Sequence, residues 1–90
     1  MENQSGAAIT THAIADGRAE ALEFLVDEHT LNCGVPLKRI RLKPNVLLVC
    51  ITRKGKIEIP SGDSIFLRGD NLIIVSNGEN AILTLNDIFE

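Results

Sequence analysis

Between residues 20 and 27 the chain alternates, with Leu22, Phe24 and Val26 on one side and Glu23 and Asp27 on the other; Leu25 breaks the pattern. A period of two predicts a strand with one buried face. Val35, Leu37, Ile40 and Leu42 then space like a short helix, with Pro36 in its first turn and an end before Pro44. Residues 46–52 are apolar at almost every position, which predicts a strand buried on both faces, with Cys50 a buried thiol. Arg53-Lys54-Gly55-Lys56 reads as a hairpin turn with Gly55 at positive φ. Residues 57–59 form the return strand, stopped by Pro60. Two Gly-Asp turns, Gly62-Asp63 and Gly69-Asp70, bracket a short strand over 64–67. Residues 71–75 make a second apolar strand, ended by Asn77-Gly78. Ile82, Leu85, Ile88 and Phe89 recur at helical spacing and predict an amphipathic helix over 79–89, with Asn77 available as its cap.

This order implies an α+β domain: a small mixed β-sheet with one short helix and a C-terminal helix. Residues 1–17 are small, polar and weakly patterned. They read as a flexible leader or linker, in which Ile9, Ala13 and Ile14 offer at most a weak helical stripe. Residues 18–90 form the domain.

Size and composition sharpen this picture. A chain of 90 residues buries about 60–65% of its unfolded surface, so its stability margin is thin and a partner surface would help it. With three Phe and no Trp or Tyr, the core must be built from Ile, Leu and Val. The net charge is −3, but it is unevenly spread. Seven of the nine basic residues fall between His29 and Ile57, a stretch without Asp or Glu: Lys38, Arg39, Arg41, Lys43, Arg53, Lys54 and Lys56. Residues 16–28 hold five acids and one Arg. A basic middle between acidic ends suggests an anion-attracting patch, although a solvated mixed surface has the same composition. Arg forks match phosphate oxygens. Nucleic acid is disfavoured, because the chain is acidic overall and has almost no aromatic platform for bases.

Several chemistries lack their residues. Cys33 and Cys50 fit no short metal spacing, and His12 and His29 have no partner at ligand spacing. Ser61 and Ser64 lack a nucleophile elbow, and neither a Walker loop nor a Gly-x-Gly-x-x-Gly occurs. Asp63 and Asp70 could pair as acid and base, but Gly-Asp is first a turn dipeptide, and Arg68-Gly69-Asp70 is a chance tripeptide. The longest apolar run, 46–51, is too short to span a membrane as a helix, and no signal peptide appears. The expectation is a non-enzymatic protein in the cytoplasm.

Four segments, in order, carry a resemblance. Ala19-Glu20-Ala21-Leu22-Glu23-Phe24, Gly34-Val35-Pro36-Leu37, the stretch from Ile51 to the Ile59-Pro60-Ser61-Gly62-Asp63 turn, and Arg68-Gly69-Asp70-Asn71-Leu72-Ile73-Ile74-Val75 resemble the C-terminal domain of TrkA-type proteins, also called the RCK C-terminal domain. The resemblance implies a regulatory ligand-sensing and dimerisation domain of a potassium transport system. It implies a homodimer that acts with a membrane potassium transporter subunit, at the inner face of the membrane. It also implies a Rossmann domain in the full-length protein, so NAD or ATP is not assigned to this piece. In relatives the dimer cleft takes a small regulator, notably cyclic di-AMP or another phosphate-containing ligand. Carried over by position, the ligand contacts are Arg39, Asn45, Val46, Ile59 and Pro60. Around Lys43-Pro44-Asn45 the sequence is closer to the Trk type, whose ligand is less defined. The alternative is a passive dimerisation module without its own ligand.

Overall fold

A computed structural model describes residues 6–79 and 81–90. Five strands form one sheet: β1 (Thr10–Ile14), β2 (Ala19–Leu25), β3 (Val46–Arg53), β4 (Lys56–Glu58) and β5 (Asn71–Ser76). Their spatial order is β1-β2-β5-β3-β4, and every neighbouring pair is antiparallel. The expected mixed sheet is therefore an antiparallel one. The crossover from β2 to β3 and the return to β5 place the two apolar strands side by side at the centre.

The register sorts the side chains into two faces. Leu22 lies opposite Ile74, Phe24 opposite Leu72, and Leu48 and Ile51 opposite Ile74 and Leu72. These residues, with Val26 and Val46, are buried on the inner face. A register shift between Leu48 and Cys50 admits one extra residue, Val49, and lets Ile51 return to the inner side. The outer face carries Ala21, Leu47 and Val75 in one row and Leu25, Asn71, Thr52 and Ile57 in another. Leu47 is 60% exposed and Cys50 half-buried, so β3 is buried on one face only.

Among the described residues the cover of the inner face contains no α-helix. The short helix expected at 35–42 is a single 3-10 turn, Leu37–Arg39, and the backbone is extended again at Ile40. Its N–H groups are taken from outside: Leu37 N donates to Ser64 O at 2.9 Å and Lys38 N to Gly62 O at 2.9 Å. These bonds replace the helical ladder. The expected strand over 64–67 is the other side of the same stitching, an irregular segment held by Gly34 N to Phe66 O at 2.9 Å.

The terminal helix expected over 79–89 is likewise only a 3-10 turn, Leu85–Ile88. Its apolar residues do what the spacing demanded: Leu85, Ile88 and Phe89 are buried and Ile82 packs against the core. A 3-10 turn repeats every three residues, so the same spacing serves it as well. Asp87 sets where the turn starts, accepting Leu83 N at 2.8 Å and Thr84 N at 2.9 Å. Phe89 bridges to Leu42 and stacks on Phe66 with centroids 6.3 Å apart. Asn86 ties this turn to the loop after β2, donating to His29 O and accepting Leu31 N, both at 2.9 Å.

The segment read as leader is in part a strand. β1 pairs with β2 from Thr10 opposite Glu23 to Ile14 opposite Ala19, and the weak helical stripe is absent. All five β1 residues are exposed, which explains the missing pattern: with neither face buried, nothing selects an alternation. Residues 1–5 of that segment lie outside the described residues.

Candidate functional site

The structure brings two of the expected contact segments together. The Leu37–Arg39 turn lies along residues 60–64, stitched by the two backbone bonds above and by Lys38 Nζ to Asp63 Oδ1 at 2.8 Å. Gly62 permits this close approach: a Cβ there would stand 3.3 Å from Lys38 Cβ. Arg39 is exposed and, among the described residues, makes no ion pair. Ile59 is 76% exposed and Pro60 half-buried beside it.

Asn45 and Val46 are committed differently. Asn45 adopts φ 67°, its carbonyl accepts Asn77 N at 3.2 Å, and its Nδ2 donates to Glu79 Oε1 at 2.9 Å. Asn is among the few side chains that tolerate this left-handed region, which gives it a turn role at the start of β3. Val46 belongs to the core. Among the described residues, the best-formed recesses, of about 260–360 Å3, are lined by residues other than Arg39, Asn45, Val46, Ile59 and Pro60.

A second constellation escaped the sequence reading. Arg53, the last residue of β3, meets Asp70, the residue before β5. Nε donates to Oδ1 at 2.9 Å and Nη2 to Oδ2 at 2.7 Å, a two-point fork. Nη2 also reaches Ile65 O at 3.1 Å, and Leu67 N donates to Asp70 Oδ2 at 2.8 Å. The side chains are 38% and 3% exposed. Burial pushes the Asp70 carboxyl upward, but the Arg53 bonds, the Leu67 N–H and the guanidinium charge outweigh it and hold it below 3.8. The Asp70 carboxylate raises Arg53 in turn. A carboxylate held ionised at neutral pH, with both oxygens hydrogen-bonded, is a poor proton carrier, so Asp70 is a structural anchor for the 65–70 loop. Antiparallel pairing of β3 with β5 makes the contact, since Thr52 lies opposite Asn71. The signal in sequence is an Arg ending one apolar strand and an Asp preceding the next.

The remaining candidates disperse. His12 is exposed on β1, whereas His29 sits in a loop 3.5 Å from Glu28. The Cys33 thiol is raised by burial and by the charges of Asp70 and Asp27, the opposite of an activated nucleophile. Among the described residues no three His, Cys, Asp or Glu side chains are grouped to hold a metal ion, and no helix is long and apolar enough to cross a membrane. The basic middle divides into an exposed loop group around Lys38–Lys43 and a hairpin group at 53–56.

A one-sided antiparallel sheet, covered on its inner face by irregular loops that carry exposed cations, defines the architectural class of this chain. More narrowly, the chain belongs to the TrkA-C domain family, whose sequence model matches residues 21–89. It is similar to the Trk system potassium uptake protein TrkA homolog of Archaeoglobus fulgidus, 36% identical over 73 residues that cover 81% of this chain and 17% of that protein. The Pyrococcus horikoshii protein of the same name is 32% identical over 73 residues, covering 80% of this chain and 32% of its own length. TrkA homolog 1 of Methanosarcina mazei is 32% identical over 72 residues, 79% of this chain and 16% of that protein. The chain thus spans only a sixth to a third of the relatives it matches.

Proposed function

We propose that this domain is the ligand-sensing and dimer-forming part of a cytoplasmic potassium-uptake regulator. In the whole protein it would act beside a Rossmann domain and bias a membrane transporter subunit. The observation that carries the reading is the family match over residues 21–89. The arrangement of the loops supports it. Exposed Arg39 sits on the turn that is stitched to residues 62–64, a few positions along the chain from exposed Ile59 and half-buried Pro60, and a second copy could complete a site there. Arg39 would neutralise a phosphate of cyclic di-AMP or a related regulator, and Ile59 and Pro60 would flank a base. The ligand acts only if it binds two arrangements of the paired domains unequally. No catalytic step is assigned.

Calorimetry with cyclic di-AMP tests the reading. The expected result is saturable heat at one ligand per two chains, lost in Arg39→Ala. Ligand at a hundredfold excess over its Kd should raise Tm by about 10 °C, from about 2.7 kcal/mol of linkage. Absence of both heat and thermal shift removes ligand sensing by this nucleotide.

The outer face favours a second reading, dimerisation without ligand. Leu25, Leu47 and Ile57 are 48%, 60% and 71% exposed on that face. They are spread over β2, β3 and β4, and a second copy laid across this face would cover all three. Sedimentation distinguishes the outcomes: a monomer at high micromolar concentration counts against both readings.

A further inference from the structure

We infer that the recess between the β3–β4 hairpin turn and the 67–70 turn is a separate binding site for the phosphate group of a small soluble ligand. The recess has a volume of about 280 Å3 and is lined by Arg53, Lys54, Leu67, Arg68, Gly69 and Asp70. Three of these six are cations and one is an anion.

The anion is already neutralised. Asp70 accepts two bonds from Arg53 and one from Leu67 N, so these two charges offset each other and Lys54 and Arg68 carry the net positive charge of the recess. The Arg53 inventory points the same way. Of its five N–H donors, Nε–H and both Nη2–H are used, by Asp70 and Ile65 O. The two N–H groups of Nη1 remain, on a side chain 38% exposed at the edge of the recess. Lys54 makes no ion pair with any described residue and is held at the hairpin tip by φ 52°. Arg68 bonds Glu28 at 3.1 Å, but both groups are well exposed, at 70% and 59%. Such a surface pair exchanges readily for a stronger anion. Gly69, at φ 96°, adds no side chain, and a Cβ there would meet nothing within 4 Å, so the floor is open.

The ligand class follows from these donors. Nε and Nη2 of Arg53 are occupied, so this residue offers a ligand only the N–H groups of Nη1 rather than a planar fork. Single-nitrogen contacts from Arg53, Lys54 and Arg68 suit the three terminal oxygens of a phosphate monoester. Leu67, 39% exposed on the wall, gives an apolar part of the ester something to rest on. None of Arg39, Asn45, Val46, Ile59 or Pro60 takes part, so this site is independent of the one proposed above.

Amide NMR shifts of the 90-residue chain test it, with inorganic phosphate and phenyl phosphate titrated separately and sodium chloride as the ionic-strength control. Saturable shifts should centre on Lys54, Gly55, Arg68 and Gly69, with phenyl phosphate the tighter ligand. Lys54→Gln and Arg68→Gln should each weaken binding about tenfold, the loss expected for one charge-assisted contact, with Tm unchanged. No saturable shift at these amides, shifts reproduced by chloride, or full affinity in the double variant overturns the site. Equal affinity for both probes overturns the ester assignment. Phosphate shifts confined to residues 38–46 also overturn this site, while leaving the regulator site standing. A cyclic di-AMP titration that is silent at residues 38–46 counts against the regulator site alone.

Discussion

The chain writes Gly-Asp twice, seven residues apart, and gives the two copies opposite duties. Asp63 is 85% exposed and meets Lys38, itself 61% exposed, across 2.8 Å. Asp70 is 3% exposed and forks onto Arg53 at 2.7 and 2.9 Å. The dipeptide, the charge and even the bond length nearly match, yet the energies do not. An exposed pair trades water for a partner at little gain. A buried carboxylate has no water to return to, so removing either partner leaves an uncompensated group.

Asp70→Ala should therefore show the largest effect. It strands Arg53 and the Leu67 N–H and empties a buried site, while the partial exposure of Arg53 lets water soften the loss. The expected cost is about 3 kcal/mol, a large share of the margin of a domain this size. Asp63→Ala should cost about 0.5 kcal/mol or less. Urea unfolding of the two variants measures both. Comparable losses would erase the distinction drawn here.

Acid titration sharpens the same contrast. Asp27, Asp70 and Asp87 are each held below their ordinary 3.8, burial being outweighed by hydrogen bonds to the ionised form. A carboxyl depressed in the folded state adds stability that is complete above its unfolded value and is lost as pH falls through the folded one. Stability should hold from neutral pH to about pH 5 and fall below about pH 4. The deficit of Asp70→Asn relative to the parent should narrow as pH drops below 3.8, because the parent loses the same charge. A deficit constant between pH 6 and pH 2.5 would show that the fork contributes nothing as an ion pair.

The glycines of the two pairs differ as well, and for unrelated reasons. Gly69 sits at φ 96° with open space around it, so Gly69→Ala should cost about 1–2 kcal/mol through backbone strain alone. Gly62 has no such φ; a Cβ there would press on Lys38 Cβ at 3.3 Å, a contact relieved by a backbone shift of a few tenths of an ångström, at about 0.5 kcal/mol. Thermal melts separate the two. Asn at position 69 should recover part of the loss because it tolerates positive φ, whereas Asn at position 62 should be worse than Ala.

These contrasts show what the sequence could reveal. The alternation of Leu22, Phe24 and Val26 marked the buried face of β2, and the Lys54-Gly55 turn formed with Gly55 at φ 79° as expected, although Lys54 is also held at positive φ, 52°. Apolar spacing identified Leu85, Ile88 and Phe89 as core but could not choose between an α-helix and a 3-10 turn. Leu47 looked buried because an unbroken apolar run does not say which of its two faces the fold covers. Of the carried-over contacts, Val46 is a core residue and Asn45 a turn residue, roles their types already allowed. The Arg53–Asp70 fork joins positions seventeen residues apart and exists only through the β3–β5 register, which no local pattern encodes.

The smallest expected effect decides whether the exposed pair is inert or organises the loop that bears Arg39. Lys38 and Asp63 link the two segments already stitched through Lys38 N and Gly62 O, so their coupling could hold the loop rather than the fold. A double-mutant cycle with Lys38→Ala and Asp63→Ala should give a coupling of about 0.3 kcal/mol, near the floor for exposed pairs and lower still in high salt. Amide exchange over residues 36–40 and 60–64 should be faster in either single variant and no faster in the double. Coupling above about 1 kcal/mol would place this pair with Arg53–Asp70 and make exposure a poor guide to which Gly-Asp pair the fold depends on.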